Sequence, residues 1–265
     1  MRNRLTGAIL AVVAALAPSS FGLAQAAKQQ GAAKAQATGS SADLTGIWRR
    51  IRRAPDNARR YTNFELALSL PTKDLAMTSW GESKFKANKP NVGPNAVPLA
   101  DSNDPDIKCT PPGVPRIYVE RGEPFEILQV PGRMVMVFEY DHFVRQIYAD
   151  GRKHPEDAVP TWMGDSIGRW EGNTLVVDTV GFNDQTWLDY SGHPHSDALH
   201  VVERFQRVDH NTLQIDLTIE DQKAYTKPWG GRMLFELKPD WTIGEVVCED
   251  NGNFLELQKK VEPGE

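Results

Sequence analysis

The chain has 265 residues, 40% of them hydrophobic and 25% charged, enough apolar sequence to build a packed core. That composition excludes a disordered, collagen-like or small disulfide-framework protein. The formal net charge of −5 leaves no basic footprint for nucleic acid.

Arg2 and Arg4 precede a short apolar run, Leu5 to Ala17, and Ala24-Gln25-Ala26 then supplies a small-x-small cleavage pattern. Together they predict a secretory signal peptide over residues 1–26. The run is shorter than the roughly 20 residues that a membrane span needs, which sets cleavage ahead of an uncleaved N-terminal anchor. Losing Arg2 and Arg4 takes Lys+Arg from 30 to 28 against 35 Asp+Glu, so the mature chain would carry −7. The expected address is the periplasm or the exterior, with no integral membrane segment after cleavage. Residues 27–42, rich in Ala, Gln, Gly and Ser, read as a flexible tether. Residues 43–265 read as one β domain, in which 43–115 form an N-terminal wrap and 116–250 the main hairpins.

Only Cys109 and Cys248 are present. An oxidising compartment favours pairing them, and a bridge closing so long a loop stabilises by several kcal/mol in the chain-entropy account. Its expected effect is to tie the irregular N-terminal region to the last strand.

Folded sequence starts at Asp43-Leu44-Thr45-Gly46-Ile47-Trp48. Between Pro71 and Pro90 one helix is expected, with Ser79 and Glu82 as a capping box and Trp80 and Phe85 on its apolar side. Seven prolines in the 26 residues from Pro90 to Pro115 make that stretch extended and irregular. From Arg116 onward the pattern is one of hairpins: Phe125–Val130 with Met134–Tyr140 around Pro131-Gly132, then Phe143–Asp150 after the Asp141-His142 corner. Ile167–Trp170 pairs with Thr174–Phe182, Leu199–Val208 with Leu213–Glu220, and Met233–Leu237 with Thr242–Cys248. Sequential antiparallel strands with one apolar face predict an all-β fold, an up-and-down barrel with a β-sandwich as the alternative. No helix in the second half is long enough for a βαβ crossover, which excludes Rossmann and TIM arrangements.

Two resemblances rest on particular residues. Gly46-Ile47-Trp48 resembles the G-x-W that opens the first strand of lipocalins and other calycins, although the next expected strand starts only at Phe125. The blocks GRWEGNTLVVDTVGFND (168–184), HSDALHVVERF (195–205) and DQKAYTKPW (221–229) resemble a family of exported, largely uncharacterised bacterial proteins. This resemblance implies export and a β fold; it implies no particular reaction.

All six histidines lie between His142 and His210. His193, His195 and His200 form the one fallback for a metal, but His200 would point away from the other two in an extended segment. Alternation places Glu203 on the face of Leu199, Val201 and Phe205, and Arg145 on that of Ile147 and Ala149. An isolated buried carboxylate is costly, so a Glu203–Arg145 pair is expected inside the barrel. It would serve either acid–base chemistry or strand register. His195, in the connection leading into the Glu203 strand, is the expected catalytic acid or base, with Asp189 orienting it. Asp178, Tyr148, Trp162, Trp187 and Trp229 are candidate ligand contacts, the tryptophans as stacking surfaces near strand ends. Gly164-Asp165-Ser166-Ile167-Gly168 matches a nucleophile elbow in letters only, because a strand and not a helix follows. Ser196 is no dyad with His195, since adjacent extended residues point apart.

The resulting expectation is a monomeric or weakly associated barrel with an aromatic-rimmed cavity for a small organic ligand or substrate, amphipathic, aromatic or glycosidic. It would act without a cofactor, by acid–base chemistry of the lyase, hydratase, isomerase or hydrolase kind. The alternatives are a non-catalytic carrier of the lipocalin type and a structural periplasmic protein.

Overall fold

The computed structural model describes residues 42–51, 75–119 and 123–249. The expected signal peptide and nearly all of the expected tether lie outside the described residues. Nine strands close into a barrel in chain order, which decides between the barrel and the sandwich. They are β1 (Gly46–Arg50), β2 (Phe125–Val130), β3 (Arg133–Phe138), β4 (Val144–Tyr148), β5 (Asp165–Glu171), β6 (Thr174–Val180), β7 (His200–Asp209), β8 (Thr212–Glu220) and β9 (Trp229–Leu237).

Local sequence explains the hairpins. Pro131-Gly132 and Gly172-Asn173 make two-residue turns, with Gly132 and Gly172 at φ 72 and 60, the left-handed conformation glycine adopts without steric cost. β1, the strand that carries Gly46-Ile47-Trp48, pairs with both β2 and β9 and so closes the ring. Trp48 on it is fully buried, and its indole N–H donates to the Leu44 carbonyl at 2.9 Å.

The structure corrects several expectations. One pair is parallel, β4 with β5, because residues 149–164 travel back along the barrel before β5 begins. Thr242–Cys248 is not a strand: Val246 makes a single bridge to Tyr140, so β9 is the last strand and runs from Trp229 rather than Met233. Cys109 and Cys248 do form the disulfide, with Cα atoms 5.5 Å apart. It therefore joins the wrap to the segment after the barrel instead of to a strand.

Among the described residues the wrap carries one α-helix, α1 (Ser79–Ala87), and a second, α2 (Arg116–Val119), follows directly after the wrap. The N-cap of α1 is Thr78 and not Ser79: its hydroxyl accepts from the Gly81 N–H at 3.1 Å. Residues 88–115 are irregular apart from two 3-10 turns, as their prolines require. α2 is wholly buried and is capped at its end by the Arg50 guanidinium, which donates to the Val119 carbonyl. The interior takes alternate residues of each strand, among them Phe125, Ile127, Met134, Met136, Ile147, Val177, Phe205, Ile215 and Phe235. Arg145 and Glu203 sit within this apolar filling.

Candidate functional site

Arg145 and Glu203 meet inside the barrel, as alternation places them. Both are essentially inaccessible, at 1% and 0% exposure. The guanidinium donates from Nη1 to Glu203 Oε1 at 2.8 Å and from Nη2 to Oε2, the bidentate geometry that Arg favours. Tyr118, brought in by α2, donates its hydroxyl to Oε1 at 2.5 Å. Ser166 accepts from Arg145 Nε and Nη2 at 3.2 Å each, and Thr179 from Nη2 at 3.0 Å. Burial opposes the Arg145 charge, but Glu203 outweighs it and holds the guanidinium above its ordinary pKa. Burial and the Glu203 carboxylate push the Tyr118 phenol well up. Each polar group thus has partners suited to it, and the pair reads as an interior brace. Ser166, the serine of the elbow-like motif, belongs to this brace.

A second buried polar group lies at the β6–β7 connection, where residues 186–196 are buried throughout except Tyr190. Asp189 organises it. One carboxylate oxygen accepts the backbone N–H groups of Ser191 and His193 at 3.0 Å each, and the other faces His193 Nδ1 at 2.6 Å. Asp189 therefore orients His193 and not His195. The reversal at Gly192, φ 85, folds the chain back so that the residue four positions on meets the carboxylate, while the residue six positions on has left the turn. The spacing Asp-x-Ser-Gly-His carries the signal of this Asx-type turn. Burial opposes the Asp189 carboxylate, yet the His193 ring and N–H overcome it and hold its pKa below the usual range.

A carboxylate only accepts, so Nδ1 of His193 carries the proton and Nε2 carries the lone pair in the neutral ring. Among the described residues no hydrogen bond occupies that Nε2. Phe85 of α1 stacks on the ring, with centroids 4.6 Å apart and planes at 18°. The Asn88 amide holds the Gly192 carbonyl at 2.8 Å, and the Tyr225 hydroxyl holds that of Pro194 at 2.7 Å.

His195, the expected acid or base, is buried beside this group with both nitrogens engaged. Nδ1 faces the Ser196 carbonyl at 3.1 Å and Nε2 the Thr186 hydroxyl at 2.6 Å. Burial lowers its pKa, so the ring is neutral near pH 7. Ser196 is bound elsewhere: its N–H and hydroxyl both donate to Asp221, at 2.6 and 2.9 Å. Arg116, on α2, grips Asp104 with two hydrogen bonds of 2.9 and 2.6 Å and lies 4.8 Å from the Tyr190 ring centroid. Burial opposes its charge, and Asp104 with Asp106 raises its pKa above the ordinary guanidinium value.

The aromatic candidates scatter. Trp187 is buried in the β6–β7 connection, its ring centroid 5.9 Å from the Arg116 guanidinium. Trp162 is half-buried in the β4–β5 crossover, and its carbonyl sits where a side chain on Gly113 would collide, 2.8 Å from an added Cβ. Trp229 packs against Tyr225 at 5.2 Å as part of the core. Tyr148 lies on the outer wall under Arg152, 3.7 Å from ring centroid to guanidinium carbon.

Asp178 is also on the outer wall, between two imidazoles: His154 Nε2 at 2.9 Å and His200 Nε2 at 3.0 Å. His154, Asp165 and Glu220 complete this outer cluster and were not singled out by the sequence, because His154 comes from the irregular crossover. The fallback metal ligands do not converge: His193 is with Asp189, His195 with Thr186 and His200 with Asp178 and Glu220. Among the described residues no three His, Cys, Asp or Glu side chains form a group able to hold a metal ion. No helix among them is long and apolar enough to cross a membrane. The chain matches no family model, no curated protein and no solved structure.

Proposed function

We propose that this chain is an exported barrel that takes a small organic molecule at the β6–β7 end and acts on it by cofactor-free acid–base chemistry, with His193 as the base or acid and Asp189 as its orienting carboxylate. The Asp189–His193 contact of 2.6 Å carries the reading. A carboxylate on Nδ1 fixes tautomer and ring direction and stabilises the imidazolium that forms when Nε2 takes a proton. Burial of the pair strengthens that interaction, and His195 with Thr186 forms a neutral neighbouring wall. Lyase, hydratase, isomerase and hydrolase reactions can each use such a group as general acid or base. The Glu203–Arg145 pair has its hydrogen bonds filled within the protein, so the reading gives it the architectural role. The disulfide is compatible with export.

The test starts from protein purified after export. Denaturing release and mass spectrometry identify any co-purified organic molecule, which is then returned to the native protein and to His193→Gln. Turnover by the native protein and its loss in the folded variant support the reading. Binding without turnover makes the protein a carrier. No bound molecule, together with a His193→Gln change confined to stability, leaves the dyad a loop clip and removes the proposal.

A further inference from the structure

The outer cluster is a chain of alternating acids and bases laid across four strands. Asp165 on β5 faces Nδ1 of His154 at 2.5 Å, and Nε2 of that ring faces one oxygen of Asp178 on β6 at 2.9 Å. The other Asp178 oxygen faces Nε2 of His200 on β7 at 3.0 Å, and Nδ1 of His200 faces Glu220 on β8 at 3.1 Å. All five side chains are partly open to water, with exposures of 21% to 44%.

A neutral imidazole donates from one nitrogen and accepts at the other, whereas a carboxylate only accepts. Four ring nitrogens each facing a carboxylate oxygen are all satisfied as donors only when both rings are imidazolium. Two positive rings then alternate with three negative carboxylates. A neutral ring would set its lone pair against a carboxylate oxygen in one of its two contacts, and that contact would open.

The position of His154 gives this arrangement a consequence. It is the one member that comes from the 149–164 crossover; the other four are anchored in the sheet. The crossover is fixed again near its end, where Thr161 exchanges backbone hydrogen bonds with Gly181 at 3.0 Å and Asn183 at 2.8 Å. Between the strand end and Thr161, His154 is the side chain that bonds to the carboxylates of the wall. Arg152 turns back to Asp150 instead, at 2.6 Å, although Asp165 also acts on its charge.

We propose that His154 and His200, linked through Asp178, form a proton-dependent clasp that holds the first half of the β4–β5 crossover on the barrel wall and releases it as the rings lose their protons. This device stands apart from the acid–base reading of the His193 end. Asp165, Asp178 and Glu220 are the charged groups that bond the two rings, and Arg152 acts on Asp165. The carboxylates favour the closed, protonated form, and Arg152 competes for Asp165. For His200 the same balance appears in its titration: burial lowers it, Asp178 and Glu220 outweigh burial, and its pKa lies above the ordinary imidazole value.

The experiment uses the full exported chain. Ring 15N NMR at about pH 6 reads protonation at each nitrogen, and trypsin reads opening through the Arg152 and Lys153 bonds that precede His154. Expected are two protonated nitrogens on both rings, and cleavage there that rises roughly threefold to tenfold across the His200 titration once trypsin's own pH response is divided out. His154→Gln, which leaves the sheet-borne members in place, should give the fast rate at every pH. Asp178→Asn should do the same and move the His200 midpoint down. A singly protonated ring in that acidic sample, or a cleavage rate indifferent to pH and to both substitutions, overturns the clasp. So does a tightly held divalent metal whose chelation alone frees the loop, since Nε2 would then be a ligand and not a donor.

Discussion

Glu203→Gln is the sharpest perturbation of the interior, because it keeps the side-chain shape and deletes only the charge. Arg145 then remains buried and positive, facing Ser166, Thr179 and an amide oxygen. Removing one partner of a buried pair costs about 3–5 kcal/mol. Roughly 1 kcal/mol of that is the Tyr118 hydrogen bond, which falls from a charge-assisted to a neutral bond. A domain of this size loses about 2–4 °C of Tm per kcal/mol, so the expected fall is roughly 6–20 °C. The assay is urea unfolding followed by tryptophan fluorescence, with unchanged slope confirming the same transition. The apolar replacement Arg145→Met, Glu203→Leu, Tyr118→Phe should recover much of the loss, because no buried charge is then left alone. A Glu203→Gln cost below about 1 kcal/mol, the scale of exposed pairs, would refute the claim that this pair is desolvated and mutually dependent.

Tyr118→Phe should cost about 1.5 kcal/mol in the same assay, the low end for a bond to a charged group, because Glu203 Oε1 keeps its Arg145 donor. Cys109→Ser, measured by thermal unfolding against the oxidised parent, should cost about 2–5 kcal/mol; an equal Tm would mean that the Cys248 segment is held without its bridge. In pH-dependent unfolding, buried His195 and half-buried His200 pull in opposite directions. His195 has a lowered pKa, so its contribution is complete above the ordinary imidazole value and is lost as pH falls through its folded pKa. His200 has a raised one, so its contribution is complete below the ordinary value and is lost as pH rises through its folded pKa. His195→Gln should flatten only the acid limb and His200→Gln only the alkaline limb; a flattening on the other side contradicts the assignment.

The barrel was legible because its information is local. Pro131-Gly132 and Gly172-Asn173 mark two-residue turns, and strict alternation in β4 and β7 put Arg145 and Glu203 on inner faces without knowledge of the partner strand. What escaped depends on contacts between distant segments. Thr242–Cys248 has a strand-like composition, yet its pairing is limited to one bridge, Val246 with Tyr140, and so it stays outside the sheet. The parallel β4–β5 pair depends on the path of 149–164, which no residue pattern within either strand encodes. In the β6–β7 connection Asp189 meets His193 instead of His195, because Gly192 reverses the chain, a turn that strand alternation does not encode. His154 and Thr186 reach their partners from irregular segments, where periodicity says nothing about direction, and Tyr118 from a helix of four residues, too short to show a period.

Access to His193 is tied to the docking of α1. Phe85 covers the imidazole face, so a molecule approaching along that face must displace the helix that carries Phe85. Two features hold α1 down: Thr78 bonds backbone to backbone with Ala224 at 2.9 Å, and Gly81 lies so close that an added Cβ would stand 2.2 Å from the Ala224 carbonyl oxygen. In an open helix Gly→Ala stabilises by about 1 kcal/mol. Here Gly81→Ala cannot keep this contact, so the sign should reverse and α1 should lift. If the His193 end is the working site, that lift uncovers the ring: a small-molecule histidine reagent such as diethyl pyrocarbonate should modify His193 faster in Gly81→Ala than in the parent. Faster unfolding without faster His193 modification would mean that α1 stabilises the barrel and guards nothing.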